Sequence, residues 1–84
     1  MRQASKTVIE YLDRLVEVFR LIEAQQTGTR KEMAQKLYIS PRSVTNYIQT
    51  LESLGAVVEW DRIYNTYYFV NQFNLEISVK IKTK

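Results

Sequence analysis

Along the first third of the chain, apolar residues recur at spacings of three and four. Val8, Ile9, Leu12, Leu15, Val16, Phe19 and Ile22 form one stripe with charged residues around the rest, the period of an amphipathic helix. The spacing predicts a helix over 7–26. Thr7 with Glu10 has the form of a capping box that would open it, and Gly28 suits the left-handed residue that ends a helix. A second box, Thr29 with Glu32, opens a short helix over 30–37 with Met33, Ala34 and Leu37 on its apolar side. Only Tyr38 and Ile39 intervene before Ser40-Pro41, a serine cap followed by a proline in the first helical position, where its missing N–H costs nothing. The third helix is predicted over 41–54. It would bury Val44, Ile48, Leu51 and Leu54 and leave Arg42, Ser43, Thr45, Asn46, Gln49 and Thr50 outside.

After Gly55 the period shortens to about two. Residues 57–61 and 66–70 are rich in β-branched and aromatic side chains and flank the turn-like 62–65, which predicts a β-hairpin. Beyond it Phe73, Leu75, Ile77, Val79 and Ile81 alternate with polar residues, so a half-buried strand is expected over 73–82. The predicted class is mainly α with a small β-hairpin, an α+β fold in a single domain over 1–84. Its parts are a helix–turn–helix unit at 29–54, a hairpin at 57–70 and a C-terminal strand extension at 73–82.

Two helices joined by so tight a turn, the second with a polar outer face, match an arrangement in which the second helix enters the major groove of DNA and the first crosses the phosphate backbone. Charge sharpens this reading. The net charge is only +3, but residues 29–50 hold Arg30, Lys31, Lys36 and Arg42 against Glu32, and residues 73–84 hold Lys80, Lys82 and Lys84 against Glu76. Residues 1–28 balance, and 51–72 are acidic. Such focusing is what an anionic partner reads. Arg42 can donate bidentately to guanine O6/N7 and Asn46 or Gln49 can pair with adenine N6/N7. Ser43 or Thr45 can make adaptable contacts, the threonine methyl suiting thymine. Lys31, Ser40 and the amides at both helix starts are candidates for phosphate.

The stretch KEMAQKLYISPRSVTNYIQTLESLGAVVEWDRIYNTYYF resembles the winged helix-turn-helix families of bacterial transcription regulators, especially the N-terminal domain of DeoR-type and WYL-associated regulators. The matching elements are Ala34 at the packing point of the second helix, Ile39-Ser40 closing the turn, Val44 with Ile48, the LxxLGA pattern from Leu51 to Ala56, and Asp61-Arg62 in the hairpin. The resemblance spans roughly 8–70. It implies a three-helix winged fold, sequence-specific binding of double-stranded DNA and regulation of transcription. It also implies a hairpin, the wing, whose Arg62, Tyr64 and Asn65 touch the flanking backbone or the minor groove. Two positions depart from the family. Tyr38 stands where glycine is usual, which puts a tyrosine at positive φ at a cost of roughly 1 kcal/mol. Asn46-Tyr47 replaces a frequent arginine–aspartate pair, removing one expected phosphate or base contact.

Other chemistry is disfavoured. The chain has no cysteine and no histidine, which removes disulfides, thiolate zinc sites and the commonest general base. Glu59 and Asp61 make a poor metal site alone, and no cofactor or enzymatic activity is expected. The aromatic residues Trp60, Tyr64, Tyr67, Tyr68, Phe69 and Phe73 suit hairpin packing better than base stacking. Lys80, Lys82 and Lys84 fit a protected strand edge better than a DNA contact. With no apolar run near the roughly 20 residues that span a bilayer and no signal-peptide core at its start, the protein is expected in the cytoplasm. A homodimer on a palindromic site is expected from the small core, the long first helix and the apolar face of 73–81. The alternative is a winged-helix adaptor that binds protein without DNA, since one fold hosts several functions.

Overall fold

The computed structural model describes residues 3–76, with side chains of the first helix from residue 7 onward. Three helices, α1 (Gln3–Glu23), α2 (Arg30–Leu37) and α3 (Pro41–Ser53), precede an antiparallel hairpin of β1 (Val58–Asp61) and β2 (Thr66–Phe69). The hairpin register pairs Val58 with Phe69 and Asp61 with Thr66, leaving residues 62–65 as the turn. This is the small α+β fold expected from the pattern of apolar positions, and the winged helix that the resemblance implies.

Each helix ends on a residue with positive φ: Gln25, Tyr38 and Gly55. In each case the next amide reaches back five residues, Gln26 to Leu21, Ile39 to Ala34 and Ala56 to Leu51, which satisfies a carbonyl the helix leaves open. Gly28 has φ +68 but sits just before the Thr29 cap, so Gln25 and not Gly28 ends α1. The start of α1 also differs from expectation. The helix begins at Gln3 and runs through Thr7, because 3–6 contain no helix breaker and the capping-box pattern can equally occur mid-helix.

The core joins Leu15, Val18, Phe19 and Ile22 of α1 to Met33, Ala34 and Leu37 of α2, Val44 and Leu51 of α3, and Ala56. Val18, absent from the predicted stripe, is fully buried, whereas Val8, Ile9 and Leu54 are exposed. Hydrophobic period marks a helical face, but burial also needs a partner opposite it, and Val8 and Ile9 are not part of the core. Phe19 anchors the hairpin, its ring centroid 5.5 Å from Phe69 and 6.0 Å from Phe73. Phe73 and Leu75 pack against the core, yet 72–76 form no strand. The remainder of the expected strand, 77–82, lies outside the described residues.

A buried polar stitch closes the fold. Thr27, before α2, and Thr66, at the start of β2, are both essentially inaccessible. The Thr27 amide donates to Thr66 Oγ1 (3.1 Å), the two hydroxyls share a hydrogen bond (3.0 Å), and the Tyr67 amide donates to Thr27 Oγ1 (2.8 Å). The Thr27 hydroxyl also reaches the Gly28 carbonyl (2.7 Å). Loop and wing are thereby tied through side chains that water does not reach, where an unmet polar atom is costly.

Tyr38 gives a local prediction. It is left-handed (φ 58, ψ 43) and 90% exposed, so a glycine there loses no packing and relieves a clash of Cβ with the backbone. Tyr38→Gly is expected to stabilise the protein by about 1 kcal/mol, read as a rise in the urea midpoint. An unchanged or lower midpoint would contradict this view of the turn.

Candidate nucleic-acid interface

The outer face of α3 is set by its caps and its buried stripe. Ser40 caps the helix, its Oγ accepting the Ser43 amide at 3.0 Å, and Pro41 follows. Val44 and Leu51 are buried and Ile48 is half-buried, which turns Arg42, Asn46 and Gln49 outward in one stripe at i, i+4 and i+7. Among the described residues these three side chains have no hydrogen-bond or ionic partner, which leaves their donors free for a ligand.

The other predicted contacts are more constrained. The Ser40 hydroxyl donates to Ser43 Oγ at 3.0 Å, so both serines are engaged in the cap. Thr45 donates to the Pro41 carbonyl (3.3 Å) and accepts from Arg30 Nη1 (2.9 Å). Thr50, on the flank facing α1, bonds to the Tyr11 hydroxyl at 2.8 Å, and the Tyr11 ring stacks on Tyr47 with centroids 5.0 Å apart. Burial, then the neighbouring Tyr11, pushes the Tyr47 phenol above its ordinary pKa of 10.0. This contact steadies α3 from behind.

In the wing, Asp61 Oδ1 accepts the amides of Ile63 and Tyr64 (2.9 and 3.2 Å), an Asx turn that spends the carboxylate on backbone. Arg62 and Tyr64 project from the turn and are exposed. Asn65 is left-handed (φ 57), and its amide donates to Glu32 Oε1 at 3.1 Å, so it latches the wing to the start of α2.

Glu32 is the centre of that latch. The capping box at the start of α2 is complete, with the Thr29 amide on Glu32 Oε1 (2.7 Å) and the Glu32 amide on Thr29 Oγ1 (3.0 Å). A Cβ at Gly28 would run into the same carboxylate oxygen, which explains a glycine here. The start of α2 is thus joined to the wing through Glu32–Asn65 and to α3 through Arg30–Thr45. Those contacts bring wing turn, helix start and α3 together. They also show that part of the α2 N-terminus is already occupied by its own carboxylate, leaving the Arg30 and Lys31 amides of its first turn.

The Thr29 amide, then the Asn65 amide, hold the Glu32 carboxyl below its ordinary pKa of 4.5. A folded-state pKa depressed in this way contributes stability above about 4.5 that is lost as pH falls through the lower folded value. Glu32→Gln, which keeps an oxygen acceptor but cannot titrate, is expected to flatten the acid limb of the stability–pH curve below pH 4.5. Parallel acid limbs for wild type and variant would contradict the latch.

Lys31, Arg42 and Arg62 are exposed and form no ion pair among the described residues, nor does Arg30. Sequence reasoning overlooked Arg30 as a site residue and missed the Glu32–Asn65 pair. A guanidinium at the first position of α2 beside a positive stretch was the available signal for Arg30. No signal in the sequence linked residues 32 and 65.

Three helices, a hairpin latched to the second of them and an unencumbered outer face on the third define a winged helix-turn-helix module. The family model for the HTH domain matches residues 6–65, from α1 through the turn of the wing. The chain belongs to the HTH domain family. No curated protein and no solved structure gave a match. Among the described residues no helix is long and apolar enough to cross a membrane.

Proposed function

We propose that the protein binds double-stranded DNA in a sequence-specific manner as a transcription regulator of the winged kind found in DeoR-type and WYL-associated proteins. α3 lies in the major groove with Arg42, Asn46 and Gln49 at base edges, and Ser43 and Thr45 flank them. Lys31, Ser40 and Arg30 face phosphates at the groove's edge, and Arg62 and Tyr64 contact the flanking DNA from the wing. The carrying observation is the outward stripe Arg42–Asn46–Gln49, free of internal partners among the described residues, together with Arg30, Lys31 and Arg62, which form no ion pair among them. Membership in the HTH domain family supports the same reading. A dimer would set two α3 helices about one helical turn apart on a palindrome, and the exposed Val8 and Ile9 of α1 are apolar surface suited to pairing. Sedimentation showing only monomer at tens of micromolar would contradict the dimer.

Fluorescence anisotropy with a labelled random duplex at several salt concentrations tests DNA binding. Log affinity should fall linearly with log salt, by about 0.9 in slope for each phosphate neutralised. Lys31→Ala should reduce that slope by about 1. A folded protein that fails to bind near 50 mM salt would move the function to the protein-adaptor class.

A further inference from the structure

The hydroxyl of Thr45 is committed on both sides. Its single proton goes to the Pro41 carbonyl one turn back, and it accepts the Arg30 guanidinium from α2. A threonine hydroxyl has one proton, so Thr45 has none to give to guanine O6, purine N7 or thymine O4. Its rotamer is fixed by the same two bonds, and the side chain is half-exposed on the flank of α3 next to α2. What it can still present to a ligand is its methyl group and one remaining lone pair; against thymine, whose major-groove edge offers no donor, only the methyl can act.

The geometry assigns Thr45 as a reader of the thymine C5-methyl group and Arg30 as the positioning residue that holds it there. This rests on the DNA-binding reading and extends it to a base preference at one position for each α3 helix bound. The thymine methyl is the apolar feature of the major groove, and an oriented threonine methyl is its complement. Arg30 keeps further guanidinium N–H groups beyond the one donated to Thr45. It can therefore hold a phosphate at the groove's edge while it fixes the threonine, linking backbone register to base reading through one side chain.

The test begins with the duplex that the wild-type protein selects from a random library. Each thymine is replaced singly by deoxyuridine, which removes only the methyl, and affinity is measured by anisotropy. One thymine per α3 helix bound, hence one in each half-site of a palindrome, should respond, its replacement weakening wild-type binding about four-fold, the worth of one buried methyl. Thr45→Val keeps a methyl there but loses the hydroxyl that Arg30 holds, so it should lower the ratio no more than Arg30→Ala does. Thr45→Ser keeps both hydrogen bonds but lacks the methyl, so it should bring the ratio near one. A merely structural role for Thr45 would leave it unmoved. Arg30→Ala should lower the ratio as well as overall affinity.

Loss of the ratio in Thr45→Val with retention in Thr45→Ser would overturn the assignment in favour of the hydroxyl. A selected site in which no thymine responds to deoxyuridine would overturn it while leaving DNA binding intact. A wild type that selects no sequence would remove the DNA-binding reading itself, and this assignment with it.

Discussion

Thr27→Val is expected to destabilise the protein by about 2 kcal/mol, although valine has nearly the same shape. The loss comes from polar atoms left behind. The Tyr67 amide donates to Thr27 Oγ1, and the Gly28 carbonyl accepts from it; in the variant both lose their partner where Thr27 is wholly enclosed. Thr66→Val acts from the other side by orphaning the Thr27 amide, whose acceptor is Thr66 Oγ1. Because the two hydroxyls also bond to each other at 3.0 Å, the double variant should lose less than the sum of the singles. Urea unfolding followed through Trp60, the one tryptophan of the sequence, reads all three. Its ring meets Tyr67 edge-on with centroids 4.9 Å apart, so its emission reports on the wing directly. Additive losses, or a Thr27→Val variant within 0.5 kcal/mol of wild type, would mean that the threonine pair does not hold loop to wing.

Arg42→Ala should weaken binding to the selected duplex by roughly 5- to 150-fold, the range for a bidentate guanine contact. Arg42 is exposed at the second position of α3, and its side chain has no internal bond to break, so the variant's stability should match the wild type's. The more informative number is the ratio of selected to random duplex. A phosphate contact lowers both affinities together, whereas a base contact lowers chiefly the selected one. On the proposed interface that ratio collapses for Arg42→Ala and survives in Lys31→Ala. Equal losses on both duplexes would place Arg42 on the backbone.

Much of this architecture was legible because its signals are local. Thr29 with Glu32, and Ser40 with Pro41, cap helices through atoms three residues apart or fewer, so the sequence window that contains them contains the whole interaction. Tyr38 was legible for the same reason, since a turn this short needs a left-handed residue whatever its identity. The hairpin turn at 62–65 followed from the change of period on either side. Stripe position along α1 was not fully legible. Val8 and Ile9 have the right spacing but are exposed, while Val18 is buried in the core shared by the three helices.

The contacts that tie elements to one another were invisible in the sequence. Thr27 with Thr66, and Glu32 with Asn65, bridge more than thirty positions, and a lone threonine in a loop or strand has no pattern that betrays its partner. Asn65 shows the consequence at the site. Its residue type suits a DNA contact, and in the folded chain its amide also holds the wing against α2. Arg42, Asn46 and Gln49 were legible as candidates because outward position on a helix follows from the buried stripe alone.

The central claim is that the outer face of α3 and the wing turn are the surface that meets DNA. Amide chemical-shift mapping of the protein titrated with duplex DNA tests it most directly. The account predicts the largest changes at Arg42, Ser43, Asn46 and Gln49, with a second group at Lys31 and at Arg62–Tyr64, and little at Val8, Ile9 or Leu54. Changes concentrated on the exposed first turns of α1, with the α3 stripe unaffected, would contradict it.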